Sequence, residues 1–358
     1  MGTVAGTEPT HRETPVTGPD ELSSRLQAAP RASVSARERA GAWRDGRRLL
    51  ARDTTLDRPV AVKVVHPDLA VHAAITQRFL AEARMIARLR HPSIVSVHSA
   101  GETTGLFYYV MDYVPGESLR QRLNRELRLP PAEVARLLSD LADALHAAGQ
   151  AGLVHRDVKP ENVLLDSATG HPMLADFGIA RAMVPDGSGN VTAAGVAVGT
   201  PTYMSPEQAA GEAVDHRSDL YGLGVLGYEM LTGRPPFRGA NAAAIASMHL
   251  SERPTPVGNL RPDAPAPLAA AIMRALEKNP ADRWQTGSEF RHAIQGDAVT
   301  PLPSRLRRRG LVSAGVAVFL MAIVVAAFAL RPNGPPAGVN PRHSMLILPF
   351  ENLREMPR

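Results

Sequence analysis

The 358-residue sequence contains no cysteine, which excludes disulfide frameworks, CxxC redox sites and cysteine-ligated zinc. Nothing at its N-terminus resembles a signal peptide, and the sequence shows no internal repeat. Residues 1–40 lack a sustained apolar period and are rich in Thr, Pro, Arg and Glu, which predicts a mostly disordered tail. A basic face is missing as well: the formal net charge is +5, but Lys and Arg are spread along the chain. A nucleic-acid partner, which would show as salt-dependent retention on DNA, rests on net charge alone and is not expected. The one tight cluster, RLRRR at 305–309, stands directly before an apolar run, an address for a membrane more often than for nucleic acid.

That run, LVSAGVAVFLMAIVVAAFAL at 311–330, holds twenty residues without a charge. At the helical rise this length crosses a bilayer core. A buried soluble helix is the alternative, but few such helices lack a polar face for so long. Arg305, Arg307, Arg308 and Arg309 precede the run, while Arg331 and Arg342 follow it. The positive-inside rule therefore keeps residues 1–310 in the cytoplasm. Residues 294–310 form a polar, basic juxtamembrane linker and 331–341 are rich in Pro and Gly. Only 28 residues follow the span, too few for an independent fold.

Length allows two or three domains or lobes. From about 49 to 293, strand-like and helix-like segments alternate with Gly/Pro punctuation. RPVAVKVV (58–65) has the period of a strand, with Val60, Val62 and Val64 on one face and Ala61, Lys63 and Val65 on the other. ITQRFLAEARMIARL (75–89) has a helical stripe through Ile75, Phe79, Ile86 and Leu89. Glu82 falls inside that stripe. A carboxylate facing a core needs a cation, and Lys63 is the nearest candidate; a solvated edge glutamate is the alternative. Longer apolar helices dominate from about 133 onward. The pattern is a small strand-rich lobe, up to about 114, followed by a larger helical one.

HRDVKPEN occupies 155–162, and two short apolar strands, VLL (163–165) and PMLA (172–175), flank a turn-rich DSATGH and lead into DFG at 176–178. They predict a hairpin. Asn162 enters it and Asp176 leaves it, so both lie at its open end, where paired positions are about 5 Å apart. An amide oxygen and a carboxylate at that separation suit a hard divalent cation that also binds phosphate oxygens. Asp157 and Lys159 stand just upstream on the same loop. An isolated Asp/Asn pair is more often a turn cap; the ordered set is harder to dismiss.

With VAVK, FLAEAR, HRDVKPEN, DFG, GTPTYMSPEQ (199–208) and NPADRW in this order, the chain resembles the bacterial eukaryotic-type (Hanks-type) Ser/Thr protein kinases of the membrane-anchored receptor kind. The resemblance spans about 49–293. It implies an α+β, bilobal kinase domain over 41–293 followed by one transmembrane helix, and ATP with Mg2+ (or Mn2+) as cofactors. By the same resemblance Lys63 meets the α/β-phosphates with Glu82 as its partner, and Asp157 accepts the substrate hydroxyl proton. Lys159 lies near the γ-phosphate, and Asn162 and Asp176 hold metal. YVMDYVPGESL (109–119) resembles the hinge, with Met111 guarding the adenine pocket and the backbones of Asp112 and Val114 reading the adenine edge. Glu207 pairs with Arg283, and Asp219 braces the catalytic loop. Lys159 and Thr200 are the Ser/Thr-type choices.

Arg156 calls for an anion, which phosphorylation of the activation segment would supply, at Thr192 or, second, at Ser188. The implied partners are proteins phosphorylated on Ser or Thr, the bacterial inner membrane, and a second copy of the chain for phosphorylation in trans. SMLILPFENL (344–353) resembles the opening strand of an extracytoplasmic domain, so 331–358 reads as a truncated one. The phosphate loop is where the resemblance fails. Counting back from Lys63, Gly41 and Gly46 take the first and third glycine positions, Trp43 the second, and Arg48 the place of the valine over adenine. Glycine is needed there for close backbone approach to phosphate. RASVSARERA upstream also lacks an alternating strand. Two explanations follow: a shifted reading frame or wrong start before about residue 49, or a catalytically impaired pseudokinase that serves as a scaffold.

Overall fold

The computed structural model describes residues 34–36, 48–65, 81, 83–103, 106–177 and 201–296. Strands β1 (Val34–Ala36), β2 (Arg48–Asp53), β3 (Arg58–Val65), β4 (Val97–Thr103) and β5 (Leu106–Asp112) form an antiparallel sheet in the order β1-β2-β3-β5-β4. The alternation in β3 works on both faces. Val60, Val62 and Val64 pack with Ala51 and Val110 in a cluster of their own, whereas Ala61 joins the main core. Each such buried valine contributes about 1.5–3 kcal/mol.

β1 corrects the sequence reading, which expects no strand before the phosphate loop. Val34 pairs with Asp53 and Ala36 with Ala51. Three residues are too few to display a period of two, and the neighbouring strand, not the residues' own pattern, sets the pairing. One of the two grounds for a shifted reading frame is thereby removed.

The helical stretch α1 (83–88) buries Ala83 and Ile86. The chain then runs beside the hairpin: the Val95 N–H donates to the Leu174 carbonyl at 3.0 Å, and the Leu174 N–H to the Ser93 carbonyl at 2.9 Å. A second antiparallel sheet, β6 (Gly116–Ser118), β7 (Val163–Asp166) and β8 (Pro172–Leu174), thus abuts the first lobe. Gly116 has φ +145°, and a Cβ on it would lie 2.0 Å from the Leu165 carbonyl oxygen, so only glycine fits.

Ser118 starts α2 (Leu119–Glu126) through a reciprocal capping box with Gln121. Proline opens α3 (Pro131–Gln150), where its missing N–H costs nothing. The remaining helices are α4 (Pro206–Ala210), α5 (His216–Thr232), α6 (Ala242–Ser251), α7 (Val257–Leu260), α8 (Ala266–Ala275) and α9 (Gly287–Gln295). α5 is buried on every side from Ser218 to Leu231 and forms the centre of this lobe. No described helix is long and apolar enough to cross a membrane; the run 311–330 lies outside the described residues.

Candidate active site

Lys63 and Tyr109 are direct cross-strand partners in the β3–β5 register, so their side chains share one face of the sheet. Both reach the same carboxylate. Lys63 Nζ lies 2.6 Å from Asp176 Oδ2, and the Tyr109 hydroxyl donates to Asp176 Oδ1 at 2.6 Å. The Asp176 side chain is 5 % exposed. Its backbone sits at φ +62°, a left-handed conformation that costs a non-glycine residue roughly 1–2 kcal/mol. Phe177, next in the chain, packs at 4.6 Å between ring centroids on His155.

His155 is fully buried and sets the start of the HRDVKPEN loop. Its Nε2 lies 3.0 Å from the Ala175 carbonyl, which can only accept, so Nε2 carries the proton. Nδ1 then accepts the Asp157 N–H at 3.2 Å. Burial pushes the imidazole pKa down to about 4, which keeps this tautomer neutral near pH 7. Asp157 Oδ2 lies 2.7 Å from Lys159 Nζ. Asn162 Nδ2 donates to the Asp157 carbonyl at 2.8 Å and to its Oδ2 at 3.0 Å, turning the amide oxygen to the opposite side. The Asn162 carbonyl accepts the Ala175 N–H at 2.8 Å, one step beyond the Val163–Leu174 pair. Asn162 and Asp176 therefore both belong to the hairpin mouth, as the spacing predicts.

Asp219, on α5, accepts the backbone N–H groups of His155 and Arg156, each at 2.7 Å. Burial pushes its carboxyl up to about 7, against the pull of those two donors. Arg156 takes φ +65°, and its carbonyl accepts from Gln208 Nε2 at 2.8 Å. Glu207 and Arg283 form a bidentate pair at 2.8 and 2.7 Å, with Arg283 wholly buried. Burial opposes the charged Glu207, but hydrogen bonds from Arg283 and the Ser218 hydroxyl prevail and hold its pKa below the usual value.

Met111 is buried opposite Ala61. The Asp112 N–H is engaged by the Ser96 carbonyl at 3.0 Å, and its carboxylate by His98 at 2.7 Å; Val114 is buried. Gly41, Gly46, Glu82, Ser188, Thr192 and Thr200 lie outside the described residues. The sequence reading missed Tyr109, whose signal is the two-residue period of FYYVMD once paired with VAVK. It also missed Arg120 on α2, which binds Glu161 at 2.7 Å and Glu229 at 2.9 Å and contacts the Tyr203 hydroxyl. His249 was missed too: it is buried on α6 between the Tyr221 hydroxyl (2.8 Å) and the Thr202 carbonyl (3.0 Å). No local pattern marks either residue.

The donors at the hairpin mouth are oxygens, one carboxylate and one amide. They fit Mg2+ or Mn2+, which take one or two protein carboxylates and complete their shell with phosphate and water. Among the described residues no group of three or more His, Asp or Glu offers an all-protein metal cage.

The family model for the protein kinase domain matches residues 40–294. The serine/threonine-protein kinase PknB of Mycobacterium leprae is 44% identical over 246 residues, covering 68% of this chain and 39% of its own length. Kinase pkn3 of Myxococcus xanthus is 41% identical over 258 residues, 70% of this chain and 47% of that protein. This chain thus spans less than half the length of these curated relatives. Among solved structures, the kinase domain of Mycobacterium tuberculosis PknI superposes with a TM-score of 0.60 at 32% identity, over 75% of this chain and 97% of that one. The chain belongs to the protein kinase family, as a homologue of the bacterial Hanks-type serine/threonine kinases.

Proposed function

We propose that this chain transfers the γ-phosphate of ATP to Ser and Thr hydroxyls of proteins, its own activation segment included. The observation that carries the reading is the meeting of Lys63 with Asp176 at 2.6 Å, beside a loop that fixes Asp157, Lys159 and Asn162 by hydrogen bonds. Such preorganised charge is what phosphoryl transfer demands of a protein. Asp157 takes the proton of the attacking hydroxyl, and the backbone N–H bonded to His155 holds it in place. Lys159, beside that carboxylate, faces the transferred phosphoryl group. Lys63 orients the α/β-phosphates, Met111 closes the adenine pocket, and the Asp112 carbonyl and Val114 N–H meet the adenine edge. A divalent ion held by Asp176 and Asn162 supplies charge neutralisation at the phosphates when bound. The assembled residues favour turnover over a scaffold role.

The test is autophosphorylation of the full chain with labelled ATP, with phosphopeptides mapped in the same sample. Asp157→Asn and Asp176→Asn should each lower the rate at least 100-fold, a loss of roughly 3 kcal/mol or more of transition-state stabilisation. Near-parental turnover in either variant refutes the assignment. Thr192 is the expected phosphosite and Ser188 the second; an active preparation modified at neither excludes both.

The kinase domain, 41–293, is further proposed to be held at a bacterial inner membrane by 311–330, with 294–310 as the cytoplasmic linker. The charge-free run and the arginines before it support this. Protease added outside intact spheroplasts should leave the kinase domain uncut; cleavage between 41 and 293 would reverse the topology. Two chains at one membrane surface can phosphorylate each other in trans.

A further inference from the structure

The Asp176 carboxylate is clamped by a cross-strand pair. Lys63 on β3 and Tyr109 on β5 face each other in register, and each takes a different oxygen of the same side chain at 2.6 Å. Tyr109 is 2 % exposed. Replacing that phenol with a hydrocarbon would leave the sheet's packing in place and remove one directed donor. A carboxylate can rotate about its Cβ–Cγ bond. A lysine, as a flexible point charge, fixes its distance but not its plane. The second donor, on a rigid ring, fixes the plane.

We infer that Tyr109 is a positioning residue for the metal-binding carboxylate of Asp176, acting as the hydrogen-bonding support behind the metal ligand. The inference rests on the kinase reading of the site but does not depend on turnover. The phenol points its proton at Oδ1, and each carboxylate oxygen has two acceptor directions. A cation on the remaining directions is therefore compatible with Tyr109 staying in place. The hydroxyl holds the carboxylate in one orientation before metal arrives, so less ordering remains to be done on binding. Hydrogen-bond partners behind metal ligands are typically worth 10- to 100-fold in metal affinity. With Lys63 also on the carboxylate, the lower end is expected. A buried tyrosine needs some partner in any fold, so what distinguishes a positioning role is the effect on metal, not on stability.

The experiment uses the 358-residue chain and its Tyr109→Phe variant, and measures Mn2+ binding in the presence of ADP by electron paramagnetic resonance. The expected result is about ten-fold weaker Mn2+ binding in the variant, while ADP affinity measured without metal changes less than about two-fold. Equal Mn2+ affinity in the two chains overturns the inference. So does a matching loss of metal-free ADP binding, which would mark a general disturbance of the cleft. If the phenylalanine chain does not fold, Tyr109→Met removes the same hydroxyl and is measured in the same way. An unaltered chain that binds no Mn2+ with ADP sinks the kinase reading of the site and this inference with it.

Discussion

Arg283→Leu should be the most damaging single change that touches none of the residues given a role in phosphoryl transfer. The guanidinium is wholly buried and donates to both oxygens of Glu207 at 2.8 and 2.7 Å. It also donates to the carbonyls of Glu277 at 2.7 Å, Lys278 at 2.8 Å and Arg217 at 3.2 Å. Leucine fills part of the volume and none of these bonds. Glu207 would then be a buried carboxylate whose remaining side-chain donor among the described residues is the Ser218 hydroxyl. Breaking a buried pair from one side typically costs about 3–5 kcal/mol. For a domain of this size each kcal/mol moves the midpoint by about 2–4 °C, so thermal unfolding followed by circular dichroism should fall by roughly 6–20 °C. Removing both charges, as in Glu207→Leu with Arg283→Leu, should recover part of the loss, because the penalty is chiefly the unpaired charge. A midpoint within about 2 °C of the parent for Arg283→Leu alone would refute the reasoning.

His249 should give the fold an acid limit. Burial, with Lys278 nearby, pushes its pKa from 6.5 down to about 4. Its neutral form is favoured in the fold, so the stability it contributes is full above pH 6.5 and lost as pH falls toward 4. The loss is about 3 kcal/mol. Urea unfolding of His249→Gln should therefore fall less steeply than the parent between pH 6.5 and 4; parallel curves would contradict this. Gly287→Ala places a Cβ 2.2 Å from the Ala142 carbonyl oxygen and 3.0 Å from His146 Cβ, where α9 meets α3. Backbone must move, and a loss of about 1–3 kcal/mol of unfolding free energy is expected, read as a lower urea midpoint; an unchanged midpoint would show the contact to be looser than it stands.

What the sequence determined by itself is the chemistry carried by short ordered motifs. Lys63 in an alternating strand, Asp157 and Asn162 before a hairpin and Asp176 after it are fixed by local spacing. The hairpin then brings Asn162 and Asp176 to one mouth. The pairing of Glu207 with Arg283 and the brace by Asp219 were legible through resemblance, since nothing in their spacing brings 207 beside 283. The tertiary structure alone decided the rest. β1 exists because β2 offers an edge, which three residues cannot announce. Tyr109 meets Asp176 across 67 positions because of the β3–β5 register, in which a shift of one residue would turn the phenol to the other face. Arg120 finds Glu229 across 109 positions, and His249 finds Thr202 across 47, where α2 and α6 dock on the lobe built around α5. Periodicity tells which face of an element is buried; which polar group waits on the opposing element is set only when the two faces meet.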